Sequence, residues 1–246
     1  MPIYKIHHFK SLTSTQDKAK EFSGNGMFNA VVISDKQTKG RGRFKRKWHS
    51  GKGGLWMSIL LKPDDIQNLQ YLTFIAAISV AESIKEIAKL NTNIKWPNDV
   101  HYKGKKLCGI LTEGVFGKEN FVVVGIGLNV NQKDFSDDIK DIATSLRIIK
   151  NKNYDTKLLM QGIVDVFFNL YYNHYNKNKF NNILKIWRKY CDTIGKNVVV
   201  ITKTEKLKGK AIGVDEDCNL LLKLKNNKIT KITEGDIKVR YSRLTK

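Results

Sequence analysis

Cysteine, proline and acidic residues are scarce in this chain of 246 residues, and each shortage excludes something. The three cysteines, Cys108, Cys191 and Cys218, stand too far apart for a zinc knuckle or a paired-cysteine redox motif. Their odd number also argues against a secreted disulfide framework, so they are expected to be plain reduced thiols. Long apolar runs are missing as well. The stretch from Phe74 to Ala81 is interrupted by charge well before the length of about 20 residues that a bilayer span requires. The opening MPIYKIHHFK lacks the apolar core of a signal peptide, which leads us to expect a soluble, cytoplasmic protein with no membrane partner. His7, His8, His49, His101 and His174 have no metal-ligand spacing with one another or with cysteine, so none is assigned to a metal. With only three prolines, no repeat and 41% hydrophobic residues, the composition excludes a disordered chain.

What is abundant is positive charge: 44 Lys and Arg against 23 Asp and Glu, a formal net charge of +21. Either a polyanionic partner or a lysine-filled solvated surface accounts for this, and lysines spread over the whole chain favour the surface.

The pattern along the chain is that of an α+β protein. Ser14 or Thr15 caps a short helix that carries Ala19 and Phe22 on one side. Strands follow at Ala30 to Ser34 and Leu55 to Leu60, with a Gly- and Arg-rich loop between them. Apolar residues at helical spacing from Leu69 to Leu90 predict a long helix. Strands are expected at Ile94 to Trp96, Lys106 to Glu113 and Phe121 to Val130, joined by turns at Pro97 to Asp99 and Gly117 to Asn120. Two more helices fit Thr156 to Tyr175 and Asn181 to Tyr190. The aromatics Phe167, Phe168, Tyr171, Tyr172 and Tyr175 of the first are read as helix core and surface contacts. After Gly195 the short segments VVVI, KGKAIGV, NLLLKL and DIKVR predict a small β barrel of about fifty residues, with the boundary near Arg188.

Three segments carry chemistry. In KGRGRFKRKWHSGKGGLWMS, Gly40 and Gly42 let the backbone turn tightly beside Arg41, Arg43 and Arg46, which suits a loop wrapped around an anion. A basic surface loop and an RNA-binding arginine-glycine tail fit the loop equally well when it is taken alone. In KWPNDVHYKGKKLCGILTE, Asn98 and Asp99 follow the rigid Pro97, where oxygen ligands would suit Mg²⁺ on ATP phosphates, and Lys106 comes seven residues beyond Asp99. Gly109 on the next strand would let a ligand lie against the sheet. The plainer alternative is a hairpin with a solvated lysine cluster. In VVVGIGLNVNQ, Gly125 and Gly127 sit inside a strand with no helix following, which argues against a dinucleotide-binding turn and for close approach by a ligand or another backbone, with Asn129 available to it.

Together, in this order and spacing, GRGR with Arg46 and Trp48, KWPND, KLCGILTE, and GIGLNVN followed by ATSL resemble the biotin protein ligase family over nearly the whole chain. The fold this resemblance implies is α+β: a mixed β-sheet catalytic domain packed with helices, class II synthetase-like and of the biotin/lipoate ligase type, plus a small C-terminal SH3-like β barrel. It implies a catalytic, biotin- and ATP-binding domain over residues 1–188 and the SH3-like domain over 189–246. The implied reaction activates biotin with ATP and Mg²⁺ as biotinoyl-5'-AMP, releasing pyrophosphate. The amine of a lysine on a biotin carboxyl carrier protein then takes the acyl group and releases AMP.

Carried onto matching residues, the resemblance places Ser14, Thr15, Gln37, Gly40, Arg41, Lys106 and Gly109 at biotin. It gives Arg41, Arg43, Arg46, Trp48, Asn98 and Asn129 to the nucleotide or adenylate, and Asp99 with Asn98 to Mg²⁺. Arg43, Lys106 and Asp99 are the implied catalytic residues. One departure stands out: the family usually has Asn after the Ser-Thr pair, and this chain has Gln16, whose longer amide would shift that contact.

Some relatives also carry a DNA-binding winged helix. About a dozen residues precede the Ser-Thr pair here, so no such domain and no nucleic-acid function are expected. Family members often form homodimers through the catalytic sheet, and the same is open to this chain. Two alternatives compete: a lipoate ligase, against which GRGR and KWPND speak, and a basic nucleic-acid-binding module, for which there is neither a paired aromatic strand motif nor a recognition helix.

Overall fold

The computed structural model describes residues 4–239 except 65, 118 and 203. The chain begins with β1 (Lys5–Phe9), α1 (Thr15–Gly24), β2 (Ala30–Ser34), β3 (Leu55–Leu61) and α2 (Leu69–Ala88). It continues with β4 (Asn93–Lys95), β5 (Asp99–Tyr102), β6 (Lys105–Val115), β7 (Phe121–Leu128), α3 (Leu146–Lys150), α4 (Thr156–Asn173) and α5 (Phe180–Tyr190). Last come β8 (Asn197–Ile201), β9 (Lys206–Val214), β10 (Leu220–Leu224), β11 (Ile229–Ile232) and β12 (Asp236–Val239).

Seven strands form one sheet in the order β1-β2-β3-β7-β6-β5-β4. Only β1 and β2 run parallel, so the sheet is mixed, as expected. Side-chain alternation divides the work between its faces. Met57, Ile59, Val122, Val124 and Ile126 point into the main core against the buried face of α2 and the aromatic side of α4. On the opposite face Leu60 and Val123 pack beneath Ala19 and Phe22 of α1. That short helix covers only part of its face, and the remainder, floored by β6 and β7, stays open for the site.

Several elements differ from the sequence reading. β1 reads KIHHF, too polar to announce a strand, and is held at the sheet edge by its pairing with β2. β5 starts at Asp99, where the Trp-Pro-Asn-Asp sequence suggests a turn alone; the turn is there, but it tightens before Asp99. The short α3 is capped by Ser145, whose hydroxyl accepts from the Ile148 N–H at 3.1 Å. α2 ends at Ala88 rather than Leu90 because Lys89 adopts a left-handed conformation. α4 stops at Asn173. Arg240 of the last expected strand, the end of the 189–246 unit from residue 240 onward, and Lys118 of the Gly117 to Asn120 turn lie outside the described residues.

The C-terminal strands form a five-stranded antiparallel sheet, β11-β10-β9-β8-β12; β11, rich in polar residues, was not expected. Its inward residues Val200, Ala211, Leu220 and Ile237 belong to the same buried cluster as Trp96 and Leu90. Trp96 fastens the seam: its indole N–H donates to the Cys218 carbonyl at 2.9 Å and its backbone N–H to the Thr193 hydroxyl at 3.0 Å. No helix among the described residues is long and apolar enough to cross a membrane.

Asp192 sits at the same seam, 3.0 Å from the His101 ring nitrogen and 2.7 Å from the Lys196 ammonium. Burial pushes its carboxyl up, but His101 and Lys196 outweigh burial and hold it below the usual carboxylate range. A depressed carboxylate contributes stability above its unfolded pKa of about 3.9 and loses that contribution as pH falls through the folded value. The urea midpoint should therefore drop more steeply between about pH 5 and about pH 3 in the wild type than in Asp192→Asn. Equal slopes would show that Asp192 carries none of the acid sensitivity.

Candidate active site

The uncovered part of the sheet holds a cavity of about 710 Å³. Its floor is made of glycine. Gly109 on β6 and Gly127 on β7 are cross-strand partners, and Gly125 faces Leu111 one step along. A Cβ at Gly127 would stand 2.5 Å from the Trp48 indole nitrogen, and one at Gly109 would stand 3.1 Å from both the Trp48 ring and the Lys106 stem. The missing side chains thus let an aromatic ring and a long cation lie directly on the backbone. The Lys106 ammonium is 5.2 Å from the Trp48 ring centroid. Gly127→Ala should displace the indole and lower the rate of any reaction the cavity supports at least about tenfold, since misplacing a site group by an ångström is that costly. An alanine variant with wild-type rates and unchanged tryptophan fluorescence would contradict this packing.

One end of the cavity is lined by small polar groups at the start of α1. Ser14 caps that helix, its hydroxyl accepting from the Gln16 N–H at 3.2 Å. Thr15 donates to the Gln37 side-chain carbonyl from its N–H at 2.8 Å and from its hydroxyl at 3.1 Å. Ser58 donates to the Thr15 hydroxyl at 2.8 Å, and the Gln37 amide nitrogen donates to Ser50 at 2.8 Å. A buried chain of this kind is fixed in place before any ligand arrives.

Cations run from this end along the rest of the wall, beginning with Arg41, which donates to the Ser14 hydroxyl at 3.3 Å. Arg41 is 2.8 Å from Asp17 and 3.1 Å from Glu113. Burial disfavours its charge, but the two carboxylates prevail and raise its pKa. Arg43 donates to the Asn98 side-chain carbonyl at 3.2 Å and to the Gly235 carbonyl at 3.4 Å, and burial lowers its pKa. Arg46 pairs with Asp236. The two arginines flank Phe44, which sits with Lys45 at the loop tip in left-handed backbone. Lys106 pairs with Asp99 at 2.5 Å, and Lys95 lies 3.7 Å from the other oxygen of the same carboxylate. Beyond Trp48, apolar Phe135, Ile139 and Ile142 continue the wall.

Of the residues singled out in the sequence, the structure brings Ser14, Thr15, Gln37, Arg41, Arg43 and Arg46 to this wall, with Trp48, Asn98, Asp99, Lys106, Gly109 and Asn129. Gly40 lies behind it. A Cβ there would collide with Ser50 and the Trp48 carbonyl, so Gly40 lets the two limbs of the loop close, its own carbonyl accepting from the Trp48 N–H at 2.9 Å. Asn129 is buried, with its amide nitrogen donating to the Thr144 carbonyl at 3.0 Å. Asn98 accepts from Arg43 and donates to the Ile110 carbonyl at 2.7 Å.

Asp99 is thus the one carboxylate of the expected metal pair, and it is shared between two lysines. Among the described residues no group of three His, Cys, Asp or Glu side chains is placed to hold a metal ion. A cation would have to come largely coordinated by phosphate and water, which is the habit of Mg²⁺.

Gln16, noted in the sequence as a departure at a ligand contact, is in the wall, whereas Lys95, Asp236 and the Phe135 to Ile142 segment were not expected there. Lys95 stood beside Trp96 in a motif already singled out. Asp236 gave no signal, being 190 residues from its partner Arg46.

A donor- and acceptor-lined slot running over glycine into a cluster of cations has the chemistry to suit an organic acid beside a phosphate-bearing molecule. The model of the biotin/lipoate A/B protein ligase family matches residues 8–131, and that of the biotin protein ligase C-terminal domain matches residues 193–240. The chain is 42% identical over 235 residues to the bifunctional ligase/repressor BirA of Bacillus subtilis, covering 93% of this chain and 72% of that one. It is 35% identical over 134 residues to the biotin--[acetyl-CoA-carboxylase] ligase of Mycobacterium tuberculosis, covering 52% and 48%. The structure of the Aquifex aeolicus biotin protein ligase with biotin and ATP superposes with a TM-score of 0.86 at 32% identity, over 98% of this chain and 100% of that one. The chain belongs to the biotin protein ligase family, and its sheet with the small C-terminal unit is that family's architecture.

Proposed function

We propose that this chain joins biotin to ATP as biotinoyl-5'-AMP and passes the acyl group to a lysine of a biotin carboxyl carrier protein. The observation that carries the proposal is the continuity of the polar slot at Ser14, Thr15 and Gln37 with the cations Arg41, Arg43, Arg46 and Lys106 in one cavity.

A fused ureido ring needs a few fixed hydrogen-bond partners in a close-fitting slot, and the α1 end supplies them. The acid's carboxylate would then lie against Arg41 and Lys106. Attack of a carboxylate oxygen on the α-phosphorus of ATP forms the mixed anhydride and breaks the bond to pyrophosphate. Two anions must approach for this, and fixed arginine forks and a lysine offset their repulsion. Trp48 and the apolar wall beyond it would take the adenine, with Asn129 beside them. Mg²⁺, when bound, would neutralise phosphate charge; Asp99 would hold it, with Asn98 beside it, once Lys106 turns from Asp99 to the reacting oxygens. The loop from Lys39 to Lys47 would shield the anhydride from water. In the second step the carrier's lysine amine attacks the acyl carbon, the C–O bond to phosphate breaks, and AMP leaves as the amine gives up a proton.

Residues 1–188 would carry both steps, with 189–246 as the SH3-like unit that contributes Asp236 beside the loop. The excess positive charge would speed encounter with an acidic carrier, and no role for nucleic acid is proposed; a homodimer and a cytoplasmic location fit this reading.

The test is transfer. Incubated with biotin, Mg·ATP and a purified carrier domain, the protein should add one biotinyl group to one lysine, seen by intact mass and peptide mapping. A carrier left unmodified, or a protein that retains DNA with a steep salt dependence instead, would favour the nucleic-acid reading.

A further inference from the structure

Gln16 is 4% exposed, in the cavity wall at the second residue of α1. Its amide nitrogen donates to the Glu113 carboxylate at 2.8 Å and to the Leu111 carbonyl at 3.3 Å. Both neighbours are acceptors, so the reverse orientation of the amide would set oxygen against oxygen. The amide is therefore fixed with its carbonyl oxygen turned the other way. There Oε1 is buried and has no hydrogen-bond partner, and it lies over Gly125, where a Cβ would come within 2.9 Å of it. A buried acceptor without a donor is costly unless a ligand supplies one.

Glu113 itself is outside the cavity wall. Its carboxylate is steadied by Arg41 at 3.1 Å and Lys20 at 3.2 Å, while Arg41 has Asp17 as a second anchor.

We propose that Glu113 is a positioning residue for the acid substrate. By fixing the Gln16 amide, it presents a carbonyl acceptor for a ring N–H and makes the site prefer acids that carry such a donor. This rests on the ligase reading above. Biotin has two ureido N–H groups, and lipoate, with its dithiolane ring, has none. A site built around a buried hydrogen-bonding group rejects the analogue that leaves it unpaired far more strongly than it rejects a change of apolar shape. The preference then comes from the pair Gln16 and Glu113: Gln16 faces the substrate, and Glu113 acts through the Gln16 amide while also steadying Arg41.

The experiment is a double-mutant cycle read by calorimetric titration with biotin and by pyrophosphate release with biotin or lipoate, on full-length protein whose folding is checked by circular dichroism. Gln16→Met and Glu113→Leu should each raise the Kd for biotin about tenfold or more and narrow the biotin-to-lipoate ratio, with the KM for ATP changed less than about twofold. The double variant should bind biotin no worse than Glu113→Leu alone, because without Glu113 the Gln16 amide is no longer fixed, while the loss of the Arg41 partner is common to both. Glu113→Gln, which can still accept from the Gln16 nitrogen, should recover most of the affinity. Additive losses, or biotin binding unchanged in folded Gln16→Met, would overturn the proposal and leave the ligase reading standing. Should Glu113→Leu fail to fold, Gln16→Met and Glu113→Gln decide alone. Wild-type protein that neither binds biotin nor releases pyrophosphate with it would overturn both.

Discussion

Arg43→Ala is expected to lower kcat/KM for adenylate formation by about 10²- to 10³-fold, the usual cost of removing one preorganised charge from a site where charge develops. Arg43 is the loop arginine that ties the loop to both the turn before β5, at Asn98, and the C-terminal sheet, at the Gly235 carbonyl. Its charge is held at a position where burial already lowers its pKa, so little water competes for an incoming phosphate. Binding of biotin alone should change much less, because the Ser14, Thr15 and Gln37 chain does not include Arg43. Pyrophosphate release in the first turnover measures the loss, and a titration with biotin measures what remains. A variant that loses biotin binding and adenylation in equal measure would place Arg43 at the acid rather than at the phosphate.

Lys106→Met should be as damaging to the rate, by about 10²- to 10³-fold, but for a different reason and with a structural side effect. Lys106 is the cation that lies on the glycine floor, over Gly109 and beside Trp48, where the carboxylate and the α-phosphate would meet. Its removal also leaves the Asp99 carboxylate, 14% exposed, with Lys95 at 3.7 Å as its ion-pair partner among the described residues and the more distant charges of Arg43 and Arg46. Lys106 is itself one-third exposed, so solvent screening keeps the stability cost to roughly 1 kcal/mol. Adding Asp99→Asn should restore the urea midpoint without restoring the rate. Recovery of activity in the double variant would instead mean that Lys106 serves only to neutralise Asp99.

Much of this fold could be read from the sequence where local pattern and tertiary role agree. The β2 segment AVVIS and the long α2 are apolar at the period their geometry requires, and they stand where the periodicity puts them. Elements were missed where the tertiary setting overrides the local signal. KIHHF becomes a strand through its pairing with β2, and Asp99 enters β5 immediately after a turn whose residues mask it. The glycine floor was legible because Gly125 and Gly127 interrupt an otherwise apolar strand, a pattern with few causes besides close approach. That Gly127 shares Trp48 with Gly109 was not legible, since it needs the register of β6 against β7. Glu113 and Asp236 lay further out of reach. Each acts through a side chain about a hundred residues away or more, and neither breaks any local rule.

The most direct test of the account is formation of the adenylate without any carrier. Purified protein is mixed with Mg·ATP and either biotin or lipoate, and the products are followed by mass spectrometry together with pyrophosphate release. The structure predicts biotinoyl-5'-AMP retained by the protein, with little or no product from lipoate. Folded protein that forms no adenylate from biotin would contradict the account, and adenylate from lipoate alone would assign the same cavity to the other acid.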